Sequence, residues 1–266
     1  MDLNIMENKK FTILTANFDA GKYLRDWADS ILDQEYRPLE VIFVEDHSKD
    51  NSLKIIKKIS KEFDKKGIEF KLIQPSMKLH CGSAYNMALK NATGSYFGIL
   101  DSDDMLENFA VEFIVNIYEK NSEVTWIYTQ YNKYNKSMGR IIKRGFCKHP
   151  GKKKTILQME RKHSNTYGHW RTFSDRISSS KNLFGKGLKC CVDKHLGIRL
   201  EELGIGMFVD KVCYKYRARS KKEGSIVRKY NLTKYRTLVA HQAKERRKKR
   251  KKLKNKTVYP ILKYKG

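Results

Sequence analysis

The chain has 266 residues, 40% of them hydrophobic and 11% aromatic, which fills the core of one large domain and is too apolar for a disordered chain. Its 56 basic and 29 acidic residues leave a net charge of +27, and the excess is lopsided: residues 1–110 hold 15 Lys/Arg and 18 Asp/Glu, a balance of −3, so residues 111–266 hold 41 and 11, a balance of +30. No run approaches the ~18 apolar residues of a spanning helix, the N-terminus lacks a secretory pattern, and the five cysteines (Cys81, Cys147, Cys190, Cys191, Cys213) form no C-x-x-C pair, which argues for a reduced, cytoplasmic chain without a zinc site.

Phe11–Leu14 is a short apolar run that predicts a buried strand, followed by a polar loop over Thr15–Lys22. Tyr23–Leu32 places Tyr23, Leu24, Trp27, Ile31 and Leu32 at helical spacing. Leu39–Val44 (LEVIFV) predicts a second buried strand, and Ser52–Phe63 a helix through Leu53, Ile56, Ile59 and Phe63. Phe70–Ile73, a helix starting at Ser83–Leu89, and the strand Tyr96–Leu100 continue the alternation. Continuous apolar strands alternating with helices predict an α/β fold with a mostly parallel sheet covered on both faces. Helix Phe109–Tyr118 and strand Trp126–Tyr131 follow, whereas 132–166 is Lys-rich and without clear period. His169–Ile177 and Asp193–Leu203 have helical spacing, Met207–Tyr216 reads as a strand, and the pattern is helical again from Tyr230.

In open sheets of this kind, ligands bind beyond the carboxyl ends of the strands. Carboxylates cluster at two such ends. Asp101-Ser102-Asp103 follows the fourth strand; in an extended stretch residues i and i+2 point the same way, and two carboxylates side by side repel unless a cation lies between or beyond them. Oxygen-only ligation selects Mg²⁺ or Mn²⁺, which in turn bind diphosphate. The plain alternative makes Asp101 and Asp103 the cap and first-turn acids of a helix before Met105–Tyr118. Asp46, after LEVIFV, either accepts a hydrogen bond from a base or ribose or caps the helix near Ser52. Phe18 either lies against that base or is an ordinary loop aromatic. The AGK at 20–22 lacks the spacing of a P-loop.

In order and spacing, ILTANFDAGKYL, LEVIFVEDHSKDNS and CGSAYNMALKNATGSYFGILDSDDML resemble the nucleotide-sugar half of glycosyltransferase family 2, which has the GT-A fold. VDKHLGIRLEELG and YKYRARS are similar to its acceptor half, so the resemblance spans roughly residues 10–220. It implies inverting transfer of a sugar from a nucleotide-diphosphate donor, most often UDP-linked, with Mn²⁺ or Mg²⁺. It further implies that Ala16 and Phe18 hold the base, that Asp46 contacts uracil, and that Gly82 belongs with the nucleotide-sugar residues. Asp101 falls at the ribose-side acid, Asp103 at the metal ligand bridging to diphosphate, and Asp193 at the general base; His169 and Arg171 fall near donor sugar and acceptor. The chain departs from the family pattern at Asp19, Tyr85, Val192 and His195, where Asn, Arg, Glu and Asp are usual. Without the resemblance, Asp193 would equally serve as the N-cap of helix 193–203.

The resemblance divides the chain into a catalytic unit over 1–225, with nucleotide-sugar and acceptor halves meeting near 110, and a basic helical extension over 226–266. Ten of the thirteen residues in Lys244–Lys256 are basic. That run reads as a solvated helix, as an element drawn to an anionic membrane surface, where each basic residue contributes ~1 kcal/mol, or as a nucleic-acid contact of salt-dependent affinity. Thr257–Tyr264 after it has the composition to pack back or to meet a partner. The acceptor, whether glycan, lipid-linked or protein, is not written in the motifs. Two rival functions stand beside sugar transfer: nucleic-acid or anionic-surface binding through the basic half, and a nucleotidyltransferase-like enzyme, which would want more glycines near the N-terminus than ILTANFDAGKYL supplies.

Overall fold

The computed structural model describes residues 8–151, 155–158, 167–180, 182–219, 231–253 and 258–265. Its first third alternates as the sequence predicts: β1 (Phe11–Asn17), α1 (Leu24–Leu32), β2 (Leu39–Glu45), α2 (Ser52–Lys65), β3 (Ile68–Ile73), α3 (His80–Lys90) and β4 (Tyr96–Ile99). Strand β1 lies parallel between β2 and β4, and β3 pairs parallel with β2 at the edge. All seven residues of β2 are buried, as expected of a strand with helices on both faces.

β1 runs three residues past its predicted end. Thr15 and Asn17 sit inside because each has a buried partner: the Thr15 hydroxyl donates to the Leu100 carbonyl at 2.8 Å, and Asn17 Nδ2 donates to Glu45 Oε2 at 2.6 Å. Asp46 does not cap α2. Asn51 holds the N-cap position, and the first N–H of the helix, that of Ser52, is taken by Asp50 Oδ1 at 2.9 Å.

Beyond β4 the chain forms β5 (Met105–Leu106), α4 (Ala110–Lys120), β6 (Val124–Tyr134) and β7 (Ile141–Arg144), the last an exposed antiparallel partner of β6. Because β5 is a strand, paired with Tyr214 and Lys215, Asp101 and Asp103 cap no helix. The helix expected over His169–Ile177 is instead β8 (Arg171–Ser174) and a single turn, α5 (Asp175–Ser178). β8 lies antiparallel between β4 and β6, with Phe173 opposite both Phe97 and Trp126. Its neighbour Trp170 fills the room left by Gly98, where an added Cβ would lie 2.4 Å from the indole. Burial of Thr172 and Phe173 between two strands outweighs the weak helical spacing of this stretch.

Helix α6 (Val192–Leu203) leads into β9 (Ile205–Arg217), then α7 (Leu232–Lys252) and β10 (Ile261–Lys263). The main run of the sheet is β10-β9-β6-β8-β4-β1-β2-β3, parallel except at the two edges of β8. One core layer lies between the sheet and α1, α2 and α4, built on Trp27, Phe43, Phe63 and Ile114; the other lies under α3, α6 and α7, built on Phe97, Trp126, Phe173 and Leu196.

The basic helix α7 is packed rather than free. Val239 and Ala243 are fully buried, and Asn231 caps it by accepting from the Lys234 N–H. Fully burying a valine contributes only ~1.5–3 kcal/mol, so the helix also leans on ion pairs. Arg246 and Arg247 reach the buried carboxylates of Glu201 and Glu202 on α6, the shortest contacts being 2.8 Å. β10 then adds a parallel strand to β9. Among the described residues no helix is long and apolar enough to cross a membrane.

Candidate functional site

The tips of β1, β2 and β4 and the start of α6 converge on one end of the sheet. Asp101–Asp104 is not extended there but forms a turn, closed by the Asp104 N–H donating to the Asp101 carbonyl at 3.0 Å. The turn sends its three carboxylates in different directions. Asp101 accepts from the Tyr85 hydroxyl at 2.6 Å. Asp103 accepts from Arg219 Nε at 2.5 Å. Asp104 is buried against β9, where it accepts from the Tyr214 hydroxyl at 2.8 Å and the Arg217 N–H at 2.7 Å.

The carboxylates remain close enough to feel each other. Burial and then the charge of Asp103 raise the pKa of Asp101, against the pull of the Tyr85 hydrogen bond. Burial, then Asp103 and Asp101, raise Asp104 well above the usual range. Crowded hard-oxygen donors of this kind are relieved by a cation.

Arg217 rivets the turn from behind. Its side chain is 2% exposed; Nε donates to the Asp103 carbonyl at 2.7 Å and Nη2 meets Asp26 at 2.7 Å. Tyr85, Asp104, Arg217 and Arg219 were not singled out as site residues from the sequence. The signals available were the Tyr85 departure and the two arginines of YKYRARS.

A cavity of about 380 Å³ opens beside Asp101. Its wall brings together Asp101 from the β4 tip, Arg171 and His169 from β8 and the residues before it, and Asp193 from the first turn of α6. Arg171 is 4% exposed, lies 3.8 Å from Asp193 Oδ2 and contacts His169 Nε2 at 3.3 Å, while its own Nε–H has no partner among the described residues. Burial pulls the guanidinium pKa down, and Asp193, Tyr167 and Asp101 more than restore it. The His169 ring stacks 4.4 Å from Tyr214; burial and then Arg171 hold it well below 6.5, hence neutral. Tyr131, Tyr167 and Tyr216 add aromatic side chains to the wall.

Asp193 is the second residue of α6 rather than its N-cap. Cys191 occupies the cap with φ 62°, a left-handed conformation uncommon outside glycine. The Asp193 carboxylate is 59% exposed toward the cavity mouth, and its Oδ1 accepts from the Lys194 N–H.

The residues expected on the base side are arranged differently. Ala16 is the penultimate residue of β1, with Phe18 just beyond it. The Lys78 ammonium covers one face of the Phe18 ring. Asp46 is buried, and its two oxygens accept from the Leu79 and His80 N–H groups at 2.6 and 2.9 Å, so it anchors the start of α3. Gly82 lines no part of the cavity. An added Cβ there would lie 2.3 Å from the Gly185 carbonyl oxygen, so this glycine lets the 184–188 loop close on α3. All five cysteines are free thiols.

Among the described residues, no cluster of three or more His, Cys, Asp or Glu could by itself hold a metal ion. The turn does suit a hard divalent ion that takes its remaining ligands from a substrate. Asp103 offers a carboxylate oxygen beside a second buried acid, and a cation, Arg219, already lies against it.

The model of the family described as Glycosyl transferase family 2 matches residues 12–179. The chondroitin synthase of Escherichia coli is 27% identical over 197 residues, 74% of this chain and 27% of its own length. The hyaluronan synthase of Pasteurella multocida is 29% identical over 197 residues, 74% of this chain and 19% of its own length. The chain thus matches little more than a quarter, at most, of these relatives. Among solved structures, S. aureus TarS 1–349 in complex with UDP-GlcNAc has a TM-score of 0.64 at 19% identity, over 84% of this chain and 61% of that one. Mannosyltransferase PcManGT from Pyrobaculum calidifontis, in complex with GDP-Man and Mn2+, has a TM-score of 0.57 at 16% identity, over 82% of this chain and 59% of that one. At such identities the likeness is one of fold, and that fold is GT-A.

Proposed function

This chain belongs to glycosyl transferase family 2, and from that membership we propose that it transfers a sugar from a nucleotide-diphosphate donor, UDP-linked by the family pattern, to an acceptor hydroxyl with inversion. The observation that carries the reading is the shared wall of one cavity. Asp101, at the donor end of the first half, and Asp193, from the second half some ninety residues later, face the same 380 Å³ space with Arg171 between them.

In this reading Asp193 takes the proton from the acceptor hydroxyl as that oxygen attacks the anomeric carbon from the face opposite the leaving diphosphate. Its exposure at the mouth suits a base that meets an incoming acceptor. Arg171 holds Asp193 by charge, and its Nε–H, without a partner among the described residues, is placed to bind an oxygen of the donor. His169, being neutral and accepting from Arg171 Nη2 at Nε2, keeps its proton on Nδ1 and can donate one hydrogen bond to a sugar hydroxyl. Asp101 accepts from the ribose, and Ala16 and Phe18 line the base. Asp46 shapes that pocket through the amides of Leu79 and His80, and a direct uracil contact would use a remaining lone pair of this buried carboxylate. A Mn²⁺ or Mg²⁺ ion held by Asp103 would supply Lewis-acid neutralisation of charge on the departing diphosphate.

A thermal-shift screen of nucleotide sugars with and without Mn²⁺ tests donor class, because a ligand that binds only the folded chain raises its melting temperature. Asp193→Asn should keep that shift and lose transfer. A wild-type transfer rate in Asp193→Asn would overturn the base assignment, and no shift with any nucleotide sugar would overturn the donor reading.

A further inference from the structure

Arg219 occupies a telling place. Its Nε–H holds Asp103 Oδ2, and its guanidinium lies 5.7 Å from the centre of the Tyr23 ring. The same ring carries the Arg217 guanidinium at 4.7 Å and the Lys22 ammonium at 4.9 Å, so three cations gather on one phenol. Arg217 has a carboxylate of its own in Asp26. The carboxylate of Arg219 is the one that the proposed function gives to the divalent ion.

A divalent cation on Asp103 and a guanidinium on the same carboxylate would sit within one ion-pair length of each other. Screening acts over ~8 Å at physiological salt and leaves such a repulsion largely in force. The group that relieves it is an anion carrying more than one negative charge, delivered to the metal itself: the diphosphate of the donor. Guanidinium groups suit that exchange, since their fork of N–H donors fits carboxylate and phosphate oxygens alike.

The geometry points to Arg219 as an exchangeable counter-ion: it neutralises Asp103 until a divalent cation takes that carboxylate, then turns its N–H groups to the donor's diphosphate, so that metal and nucleotide each strengthen the binding of the other. The inference rests on the proposed metal-ligand role of Asp103. It assigns a positioning role to Arg219, the second arginine of YKYRARS.

The test is a binding measurement on the full chain, without turnover. Free Mn²⁺ is followed by its electron paramagnetic resonance signal in titrations with and without UDP, and UDP binding is followed by calorimetry with and without Mn²⁺. In the wild type, saturating UDP should tighten Mn²⁺ about tenfold or more, and Mn²⁺ should tighten UDP by the same factor, since the coupling is reciprocal. Arg219→Gln should bind Mn²⁺ alone more tightly than wild type, with the coupling factor falling toward one. Arg219→Lys keeps the charge and should retain most of the factor, which a merely structural role would not predict. A wild-type factor of one overturns the inference, as does an unchanged factor in Arg219→Gln or an equal loss in the Gln and Lys variants. Failure of the underlying reading looks different: Asp103→Asn would then bind Mn²⁺ in the presence of UDP as tightly as wild type. Should Arg219→Gln not fold, the wild-type factor and the Lys variant decide.

Discussion

Replacing Arg247 by alanine probes how the basic helix is held. Arg247 Nη2 meets Glu201 Oε2 at 2.8 Å and its Nε meets Glu202 Oε1 at 3.3 Å, and both carboxylates are buried. Breaking a buried pair by removing one partner costs ~3–5 kcal/mol, because a desolvated charge is left behind. Here the penalty is softened. Glu202 keeps Arg199 and Arg246, and Glu201 keeps the Ile156 N–H on its other oxygen. We therefore expect the lower end, about 3 kcal/mol, which for a chain of this size lowers the melting temperature by about 6–12 °C.

The loss should also depend on pH in a definite direction. Burial already raises Glu201 above its ordinary 4.5, with the Ile156 N–H and Arg247 opposing the rise. Removing Arg247 raises it further, so the folded variant binds a proton that the unfolded chain has released. Stability of the variant then falls as pH rises above 4.5 toward the folded value, and its deficit against wild type shrinks again as the pH is lowered toward 4.5. Urea titrations across that range measure it, with Lys252→Ala as an exposed control expected to stay within ~0.5 kcal/mol. A loss under ~1 kcal/mol, or one that does not shrink toward acid, would refute the claim that Arg247 compensates a buried charge.

Three further outcomes follow from the same structure. Burial, then Arg246 and Arg199, lower His195 from 6.5 to about 4, so the unfolded chain binds the extra proton and stability should fall as pH drops through that window; His195→Leu should flatten this slope in pH-dependent melts. Gly82→Ala puts a methyl 2.3 Å from the Gly185 carbonyl oxygen and 2.7 Å from that of Phe184, so overpacking should cost ~1–3 kcal/mol in chemical denaturation; a neutral result would mean that the loop yields freely. Lys244, Lys248, Lys251 and Lys252 are exposed and lie off the Glu201–Glu202 pairs. Changing all four to Gln should reduce retention on vesicles rich in anionic lipid by several kcal/mol, at ~1 kcal/mol each, with no change in melting temperature; unchanged retention removes the membrane reading of the helix. This substitution is cleaner than truncation after Val239, which would also strip Arg246 and Arg247 from buried carboxylates.

The apolar elements were legible in the sequence because burial on both faces leaves a run like LEVIFV little choice. Polar extensions were not. Thr15 and Asn17 belong to β1 only because Leu100 and Glu45, far along the chain, satisfy them. β8 lies in a stretch of helical spacing, His169–Ile177, yet its state is decided by two strands that no local window contains. The same limit applies to the site. Asp101 and Asp103 announce themselves after a strand, and the family pattern reaches Asp193. The partners that aim them (Tyr85, Tyr214, Arg217 and Arg219) are ordinary residues until the fold folds β9 back onto the β4 tip. Gly82 reads as a nucleotide-sugar residue by family pattern, and only the fold reveals that its missing side chain makes room for the Gly185 carbonyl.

Strand β8 also acts as a ruler. It is the single strand between β4 and β6 along the main run of the sheet and is antiparallel to both, so those two strands are held two interstrand steps apart, about 10 Å. Substitutions in the loops beyond either strand leave that spacing unchanged, because backbone hydrogen bonds to β8 set it.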